Sequence, residues 1–158
     1  MIIVCDTSPI VALAIINELP LLDKIFDNVL IPQTVFNELT VGDKPQAEKL
    51  YVWAKDKICA ATDKHLFQTY NMILDAGESE AMTLYWEKNS DFLLIDERKG
   101  RKIAKYNNIK IIGTLGILLL AKQKGYINEI KPMLDILQTS SIRIAENLYQ
   151  KALVLAKE

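Results

Sequence analysis

Residues 92–114, FLLIDERKGRKIAKYNNIKIIGT, contain the pattern that decides the fold. They begin with an unbroken apolar run at residues 92–95 that ends at Asp96. An amphipathic stretch follows at residues 98–106, and a second short strand, with Ile111 and Ile112, is expected at residues 110–112. Short, uniformly apolar strands separated by a helix are typical of a parallel sheet that is covered on both faces. The stretch therefore predicts a strand–helix–strand unit.

The remainder of the chain repeats this alternation. Apolar runs at residues 1–5 and 29–31 predict two further strands, and residues 58–61 predict another. A break is expected at residues 42–45. Helices are expected at residues 8–17, 20–26, 32–39, 46–55, 66–74, 78–88, 114–124, 128–137 and 143–157. The predicted fold class is α/β, a three-layer α/β/α sandwich with a short, mostly parallel central sheet.

Length and composition indicate one domain. The chain has 158 residues, of which 50% are hydrophobic, enough to form a core without disulfides or a structural metal. It contains no internal repeat and no linker long enough to divide it. We expect a single domain over residues 1–158, with a core at about residues 1–125 and C-terminal helices in residues 126–158.

Charge and targeting signals limit the functional classes. The net charge is −1, whereas nucleic-acid-binding domains are usually basic, so contact with nucleic acid would depend on a local patch and on metal ions. Cys5 and Cys59 form no CxxC pair, which argues against a zinc site. The apolar N-terminus has no basic start and contains Asp6, which argues against a signal peptide. We expect a cytoplasmic protein that does not contact a membrane.

Two of the predicted strands end at an aspartate, Asp6 and Asp96. Ligands of open parallel sheets bind outside the carboxyl ends of the strands, and an acid that follows a buried strand is poorly solvated unless it has a partner. Each aspartate could instead simply cap the helix that follows it. Ser8 and Pro9 would already begin the first helix well, so the pair of aspartates favours a shared cation.

Two glutamates are candidates to join them. Glu38 lies one helical turn from Val35 and borders the buried face of its helix, although such a residue is more often simply solvated. Glu78 shares a helical face with apolar residues, whereas Glu80 lies about 200° around the helix. We therefore select Glu78, with a first-turn acid that only stabilises the helix as the alternative. Four converging carboxylates would repel one another unless a divalent cation neutralised them, and oxygen ligands suit Mg²⁺ or Mn²⁺.

The chain resembles the PIN-domain nucleases, in particular the PIN-like branch related to VapC-type toxins of type II toxin–antitoxin systems. Four segments carry the resemblance and span most of residues 1–125. They are IIVCDTSPIVAL (2–13), IPQTVFNEL (31–39), GESEAMTLY (77–85) and LLIDERKGRKIAKYNNIKIIGTLGILLLAKQKG (93–125). Residues after Gly125 contribute nothing to the resemblance.

The resemblance implies a PIN-like sandwich and a catalytic quartet of Asp6, Glu38, Glu78 and Asp96. Asp6, Glu78 and Asp96 would hold one or two Mg²⁺ or Mn²⁺ ions, with Glu38 bound directly or through water. Glu78 stands where typical VapC toxins have an aspartate.

The resemblance also implies possible auxiliary residues. Thr7, Ser8 and Thr114 match hydroxyl positions near the site, with helix capping as their alternative role. Glu97 stands where the branch usually has a second aspartate and could assist.

The implied activity is metal-dependent endonucleolytic hydrolysis of RNA. The best candidate for RNA binding is the basic stretch after Asp96, although a solvated helix face is an alternative. Its cations, which follow helical spacing on one side, are Arg98, Arg101, Lys102 and Lys105. Tyr106 could stack on a base.

The resemblance also implies partners, namely a cognate antitoxin protein and a second copy of the chain. The apolar helices near residues 19–26 and 46–54 are candidate contact surfaces. A competing interpretation is a catalytically inactive PIN-like module that docks a protein or nucleic-acid partner. A phosphatase of the haloacid-dehalogenase type fits poorly, because its DxD motif would need an acid where the chain has Ser8.

Overall fold

The centre of the fold is a five-stranded sheet in the order β3-β2-β1-β4-β5, seen in a computed structural model that describes residues 1–42 and 46–158. Each of the four strand pairings is parallel. The strands are β1 (Ile2–Cys5), β2 (Asn28–Pro32), β3 (Ile58–Cys59), β4 (Phe92–Leu94) and β5 (Ile111–Ile112). The predicted α/β class is therefore confirmed, with a wholly rather than mostly parallel sheet.

Ten helices lie within the described residues. They are α1 (Thr7–Ile15), α2 (Pro20–Ile25), α3 (Gln33–Thr40), α4 (Ala47–Ala54), α5 (Lys64–Asn71), α6 (Ala76–Glu87), α7 (Arg98–Tyr106), α8 (Thr114–Gln123), α9 (Lys131–Thr139) and α10 (Glu146–Ala156). Residues 43–45, which make up most of the predicted break, lie outside the described residues. No helix in the described part of the chain is long and apolar enough to cross a membrane.

The helices form layers on both faces of the sheet because the side chains of a strand alternate between faces. Ile3 and Cys5 of β1 belong to the apolar cluster that includes α1, α2 and α8. Val4, between them, belongs to the cluster formed with α5, α6 and α7. The central strands are buried from both sides, and the result is the predicted three-layer α/β/α sandwich.

The order of the strands places a crevice between β1 and β4. From β1 the chain adds β2 and β3 on one side, and then crosses back to add β4 and β5 on the other. Ligands of open α/β sheets bind at such a switch point, outside the carboxyl ends of the strands. The backbone N–H of Asp6 donates to the carbonyl of Leu94 at 2.9 Å, which ties the ends of β1 and β4 together.

The first helix differs from its predicted start. Helix α1 begins at Thr7, so Ser8 lies exposed within the first turn and is not its cap. Asp6 occupies the N-cap position, yet within the described residues its side chain makes no N-cap hydrogen bond. The prediction that Ser8 caps this helix was wrong, because Asp6, whose N–H bonds to the carbonyl of Leu94, is the last extended residue and the helix begins directly after it, with its N-cap two residues earlier than predicted.

The C-terminal helices pack beside the same end of the sheet. Helix α9 contacts α1, and α10 contacts α8. The Glu158 carboxylate accepts hydrogen bonds from the backbone N–H groups of Ile130 and Lys131, at 2.7 and 2.9 Å, and pairs with Lys122. These contacts hold the end of α10 to the start of α9, and the chain between the two helices passes close to Asp96.

Candidate active site

The four selected acids come from four different elements that meet at the switch point. Asp6 follows β1, Asp96 follows the end of β4, Glu38 lies in the last turn of α3, and Glu78 lies in the first turn of α6. The negative charges of Glu38 and Asp96 both act on Asp6, and the charge of Asp6 acts on Glu78. The tertiary fold therefore brings these predicted residues into one acidic cluster.

Asp6 is the most deeply buried acid at its centre, with 5% of its surface exposed. Burial raises the pKa of Asp6 to about 7, because removing a carboxylate from water disfavours its charged form. A hydrogen bond from the Thr7 backbone opposes that rise, whereas the charges of Asp75, Glu38 and Asp96 add to it. Asp6 is thus held in a place where its negative charge is costly.

Glu78 is 6% exposed and lies near Asp75 and Asp6. Its side chain completes a capping box with Asp75, in which the Asp75 carboxylate accepts from the Glu78 N–H at 2.8 Å and the Glu78 carboxylate accepts from the Asp75 N–H at 3.4 Å. Burial raises the pKa of Glu78 to about 7, and the charges of Asp75 and Asp6 contribute. The alternative role as a first-turn acid is therefore real, and it coexists with membership of the cluster.

Asp96 is exposed and held by the start of α8. Its carboxylate accepts two hydrogen bonds from Thr114, one from the backbone N–H at 2.8 Å and one from the hydroxyl at 2.6 Å. A methyl group on Gly113 would come within 2.6 Å of Asp96 Oδ1 and 2.9 Å of Arg101 Nη1. The absence of a side chain at Gly113 therefore lets α8 and Arg101 approach Asp96 closely.

The Thr7 hydroxyl, at the start of α1, orients the Glu38 side chain. The Thr7 hydroxyl donates to Glu38 Oε2 at 2.5 Å, and a methyl group on Gly77 would lie 3.0 Å from Glu38 Oε1. Although Glu38 is exposed overall, its carboxylate thus lies between the starts of α1 and α6. Thr7 and Thr114 both bind a carboxylate of the cluster, whereas Ser8 is exposed in the first turn of α1.

Asp75 is a member of the cluster that the sequence-based selection missed. Its charge acts on both Asp6 and Glu78, although the residue is itself exposed. The sequence does contain a signal for Asp75, because an aspartate three residues before a glutamate is a capping-box pattern. With Asp75 as the cap, α6 begins at Ala76, one residue before Gly77. A search for helix caps among residues 75–78 would have identified it.

Glu97, expected as an auxiliary acid, caps α7. Its carboxylate accepts from the Gly100 N–H at 2.7 Å. That hydrogen bond, with a smaller contribution from one made by the Glu78 side chain, lowers the pKa of Glu97. Glu97 thus has a structural role and also contacts a member of the cluster.

Glu80 faces a different part of the molecule. Its carboxylate accepts hydrogen bonds from the backbone N–H groups of Thr34, at 2.7 Å, and Ala61, at 3.2 Å. These bonds join α6 to the start of α3 and to the chain after β3. The opposite orientation of Glu78 and Glu80 follows from the helical period, and Glu80 is a buried structural acid.

The basic stretch forms helix α7 beside the cluster. Arg98, Lys102 and Lys105 are exposed, and Tyr106 is 87% exposed. Arg101 is half-buried and turns toward the site, where Nη1 donates to the carbonyl of Ile95 at 2.7 Å. A cationic helix face therefore adjoins the carboxyl end of β4.

The chemistry of the cluster suits a hard divalent cation. Its donors are carboxylate oxygens, and two of these groups are buried where mutual repulsion disfavours their charge. Among residues 1–42 and 46–158, no three acidic, histidine or cysteine side chains are grouped closely enough to hold one ion. Mg²⁺ needs only one or two protein carboxylates, because it retains waters and accepts substrate phosphates. The residues present fit such an ion on these grounds.

Comparison with protein families gives an independent result. A family model described as a PIN domain matches residues 2–158. Comparisons with curated proteins and with solved structures gave no match. PIN domains are generally nucleases, and the acidic crevice at the switch point lies where a ligand of this fold class binds. Since the match covers almost the whole sequence, the chain belongs to the PIN-domain family.

Proposed function

We propose that this protein is a Mg²⁺- or Mn²⁺-dependent endoribonuclease that hydrolyses RNA phosphodiester bonds. The observation that carries the proposal is the convergence of Asp6, Glu38, Glu78 and Asp96 at the crevice between β1 and β4. Asp6 and Glu78 are both buried among other acids, where their negative charges cost free energy. A cation that bound there would relieve the repulsion.

Each acid has a distinct role in this proposal. Asp6, Glu78 and Asp96 would hold one or two cations between them, each cation on one or two carboxylates and on water, and Glu38 would bind directly or through water. Thr114 and Thr7 act as positioning residues, because their hydroxyls orient Asp96 and Glu38. When bound, a divalent cation supplies Lewis-acid chemistry toward a phosphate and helps to activate water for attack.

The RNA substrate would be bound by the cationic face of α7. Arg98, Lys102 and Lys105 are exposed beside the site, and exposed lysines and arginines bind phosphate without reading sequence. Tyr106, which is almost fully exposed, offers a ring on which a base can stack. The overall charge of −1 makes this local patch the main source of attraction for a polyanion.

The test is cleavage of a mixed-sequence RNA pool by the purified protein with Mg²⁺, with Mn²⁺ and with EDTA. We expect cleavage that depends on the cation and is lost in Asp6→Asn, Glu78→Gln and Asp96→Asn. If no RNA were cleaved under any of these conditions, the enzyme proposal would fail and the alternative of an inactive PIN-like binding module would replace it.

Glu80→Gln is the matched control for Glu78→Gln. Both residues are buried glutamates of the same helix, and only Glu78 lies in the cluster. Glu80→Gln weakens hydrogen bonds to two backbone amides, so we expect it to cost about 1–3 kcal/mol of unfolding free energy. The folded Glu80→Gln protein should nevertheless cleave RNA at the wild-type rate.

We further propose that the protein is the toxin of a type II toxin–antitoxin pair, with a cognate antitoxin and a homodimeric state. The support is the resemblance of the four motif segments to VapC-type toxins, with which membership of the PIN-domain family is compatible. Induced expression in a bacterial host should arrest growth, and Asp6→Asn should not. Growth arrest should be relieved by co-expression of a short neighbouring open reading frame, and its failure to do so would oppose the toxin role.

The exposure of apolar side chains on α2 and α4 distinguishes the two predicted surfaces for partner contacts. Helix α2, near residues 19–26, is unsuitable as an apolar contact surface because Leu21, Leu22 and Ile25 are buried in the core. Helix α4 exposes Tyr51 and Val52, so of the two predicted surfaces it is the one retained for a dimer or antitoxin contact. Sedimentation of wild-type protein and Val52→Lys would test whether it joins two copies.

A further inference from the structure

The C-terminal region, which carries no part of the motif resemblance, forms one wall of a cleft that reaches the acidic cluster. Asp96 and Thr114 line this cleft together with Ile142, Arg143 and Leu148 of the C-terminal region. The cleft has a volume of about 170 Å³ and is lined mainly by apolar side chains. Arg143 is exposed and lines the same cleft as Thr114.

A second cleft adjoins the first. It has a volume of about 390 Å³ and is lined by Asp96, Arg101 and Gly113. The two clefts share Asp96, Leu115 and Leu148, so they meet at the proposed catalytic acid. Arg101 therefore lines one of the two clefts that meet at Asp96, and Arg143 lines the other.

We propose that Arg143 is a substrate-binding residue that holds a phosphate of single-stranded RNA, while the apolar cleft beside it takes a nucleobase against Leu148. This inference rests on the proposed ribonuclease function and extends its binding surface from α7, past Asp96, to the C-terminal region. The RNA strand crosses the acidic cluster with one arginine on each side of the phosphate to be cut.

Charge and shape favour this occupant. An acidic cluster repels a polyanion, so a strand that passes over it needs positive groups on both flanks, and Arg101 and Arg143 stand at those positions. The planar guanidinium of arginine suits bidentate phosphate contacts. A small, largely apolar cleft accepts the flat face of a base without selecting its hydrogen-bonding edge, as in other sites that bind single strands.

The test measures binding without cleavage, in the Asp6→Asn background with Mg²⁺ present. The probe is a fluorescently labelled, mixed-sequence single-stranded RNA of about 12 nucleotides, and anisotropy is followed over a series of salt concentrations. Four second substitutions are compared: Arg143→Gln, Arg143→Lys, Leu148→Ala and, as the charge-matched control, Lys124→Gln. Lys124 is exposed at the far end of α8 from Thr114.

We expect Arg143→Gln to weaken binding by roughly tenfold and to lower the slope of log affinity against log salt by about 0.7, the loss of one phosphate contact to a single strand. Arg143→Lys should retain the slope. Leu148→Ala should weaken binding equally at every salt concentration, because a base contact releases no counterion. Lys124→Gln should bind as the background protein does.

Unchanged affinity and slope in Arg143→Gln, combined with loss of binding when Lys102 and Lys105 are replaced by glutamine, would overturn this inference and leave the ribonuclease proposal in place. Equal loss in Arg143→Gln and Lys124→Gln would also overturn it, because it would indicate only general charge attraction. Failure of the wild-type protein to bind or cleave any RNA would overturn both proposals together.

Discussion

The carboxylate of Glu78 lies directly against the backbone of Gly100. A methyl group on Gly100 would come within 2.6 Å of Glu78 Oε1 and within 2.5 Å of Ile95 Cδ1. Gly100 is in the first turn of α7, the helix that carries the basic residues, and Glu78 is in the first turn of α6. A single small residue therefore sets how closely the basic helix and the acidic cluster approach each other.

Gly100→Ala should disable the site while leaving the protein folded. The added methyl group must displace the ends of the Glu78 and Ile95 side chains, both of which are buried. Alanine also favours the helix by about 1 kcal/mol relative to glycine, which offsets the cost of repacking. We expect an unfolding free energy within about 1 kcal/mol of the wild type and RNA cleavage reduced at least about tenfold. Wild-type cleavage by this variant would show that the position of Glu78 is unimportant.

Replacing Asp6 should stabilise the metal-free protein at alkaline pH. The folded pKa of Asp6 is about 7, above its unfolded value of about 3.9. The folded state therefore binds more protons between these values, and the stability of the wild type falls as the pH rises through that window. Asp6→Asn removes this loss, so in EDTA its melting temperature should exceed that of the wild type by more at pH 8 than at pH 5.

The gain at pH 8 should exceed the gain at pH 5 by about 2–3 kcal/mol, or roughly 4–12 °C for a domain of this size. Thermal unfolding at the two pH values measures it. Asp56→Asn, which changes an exposed aspartate after α4, is the control and should shift the melting temperature equally at both. A pH-independent difference between Asp6→Asn and wild type would contradict the burial of a costly charge.

Divalent cations should stabilise the wild type and do so more at high pH. A ligand that binds only the folded state contributes about 2.7 kcal/mol at 100 times its dissociation constant, or roughly 5–10 °C in melting temperature. Protons compete with the cation for Asp6 and Glu78, whose pKa values are both about 7. The Mn²⁺-induced rise should therefore be larger at pH 8 than at pH 6, and it should be lost in Asp6→Asn.

Differential scanning fluorimetry with Mn²⁺, Mg²⁺ and K⁺ at matched ionic strength would measure this effect. Glu80→Gln should respond to Mn²⁺ as the wild type does, because its carboxylate binds backbone amides elsewhere. An equal response in Asp6→Asn and the wild type would place the cation outside the acidic cluster.

Thr114→Val should lower activity through Asp96. The variant keeps the shape of the side chain and the backbone hydrogen bond, but loses the 2.6 Å hydroxyl bond to Asp96 Oδ2. Loss of such a supporting contact typically costs 10- to 100-fold in metal affinity or activity, and one hydrogen bond contributes about 1 kcal/mol to stability. Rate and melting temperature should both fall, the rate far more.

Thr83→Val is the matched control for Thr114→Val. Thr83 is a buried threonine of α6 whose hydroxyl donates to the carbonyl of Ser79 at 2.7 Å. Thr83→Val should lower the stability by a similar amount, and the folded variant should cleave RNA at the wild-type rate. Equal losses of activity in the two variants would mean that Thr114 acts only through stability.

Local sequence patterns were sufficient to predict the main strands and helices of the fold. Buried strands in a parallel sheet are short and uniformly apolar, so β1 and β4 could be predicted together with the aspartates that follow them. The helices after them were predicted from the 3.6-residue period, which also separated Glu78 from Glu80. Helix ends were less accurate, because the start of α1 follows the hydrogen bond of the Asp6 N–H to Leu94, a residue far away in the sequence.

By itself, the amino-acid sequence determined the α/β class, the strands that end in acids and the family resemblance, because periodicity and motif spacing are local properties of a chain. Only the tertiary structure decided that the charge of Asp75 acts on Asp6, that Glu97 contacts Glu78 and that Arg143 lines a cleft with Asp96. These relationships join residues of different elements, some of them far apart in sequence. They depend on the order of the strands and on the packing of α6, α7 and α10, which no single stretch of the sequence contains.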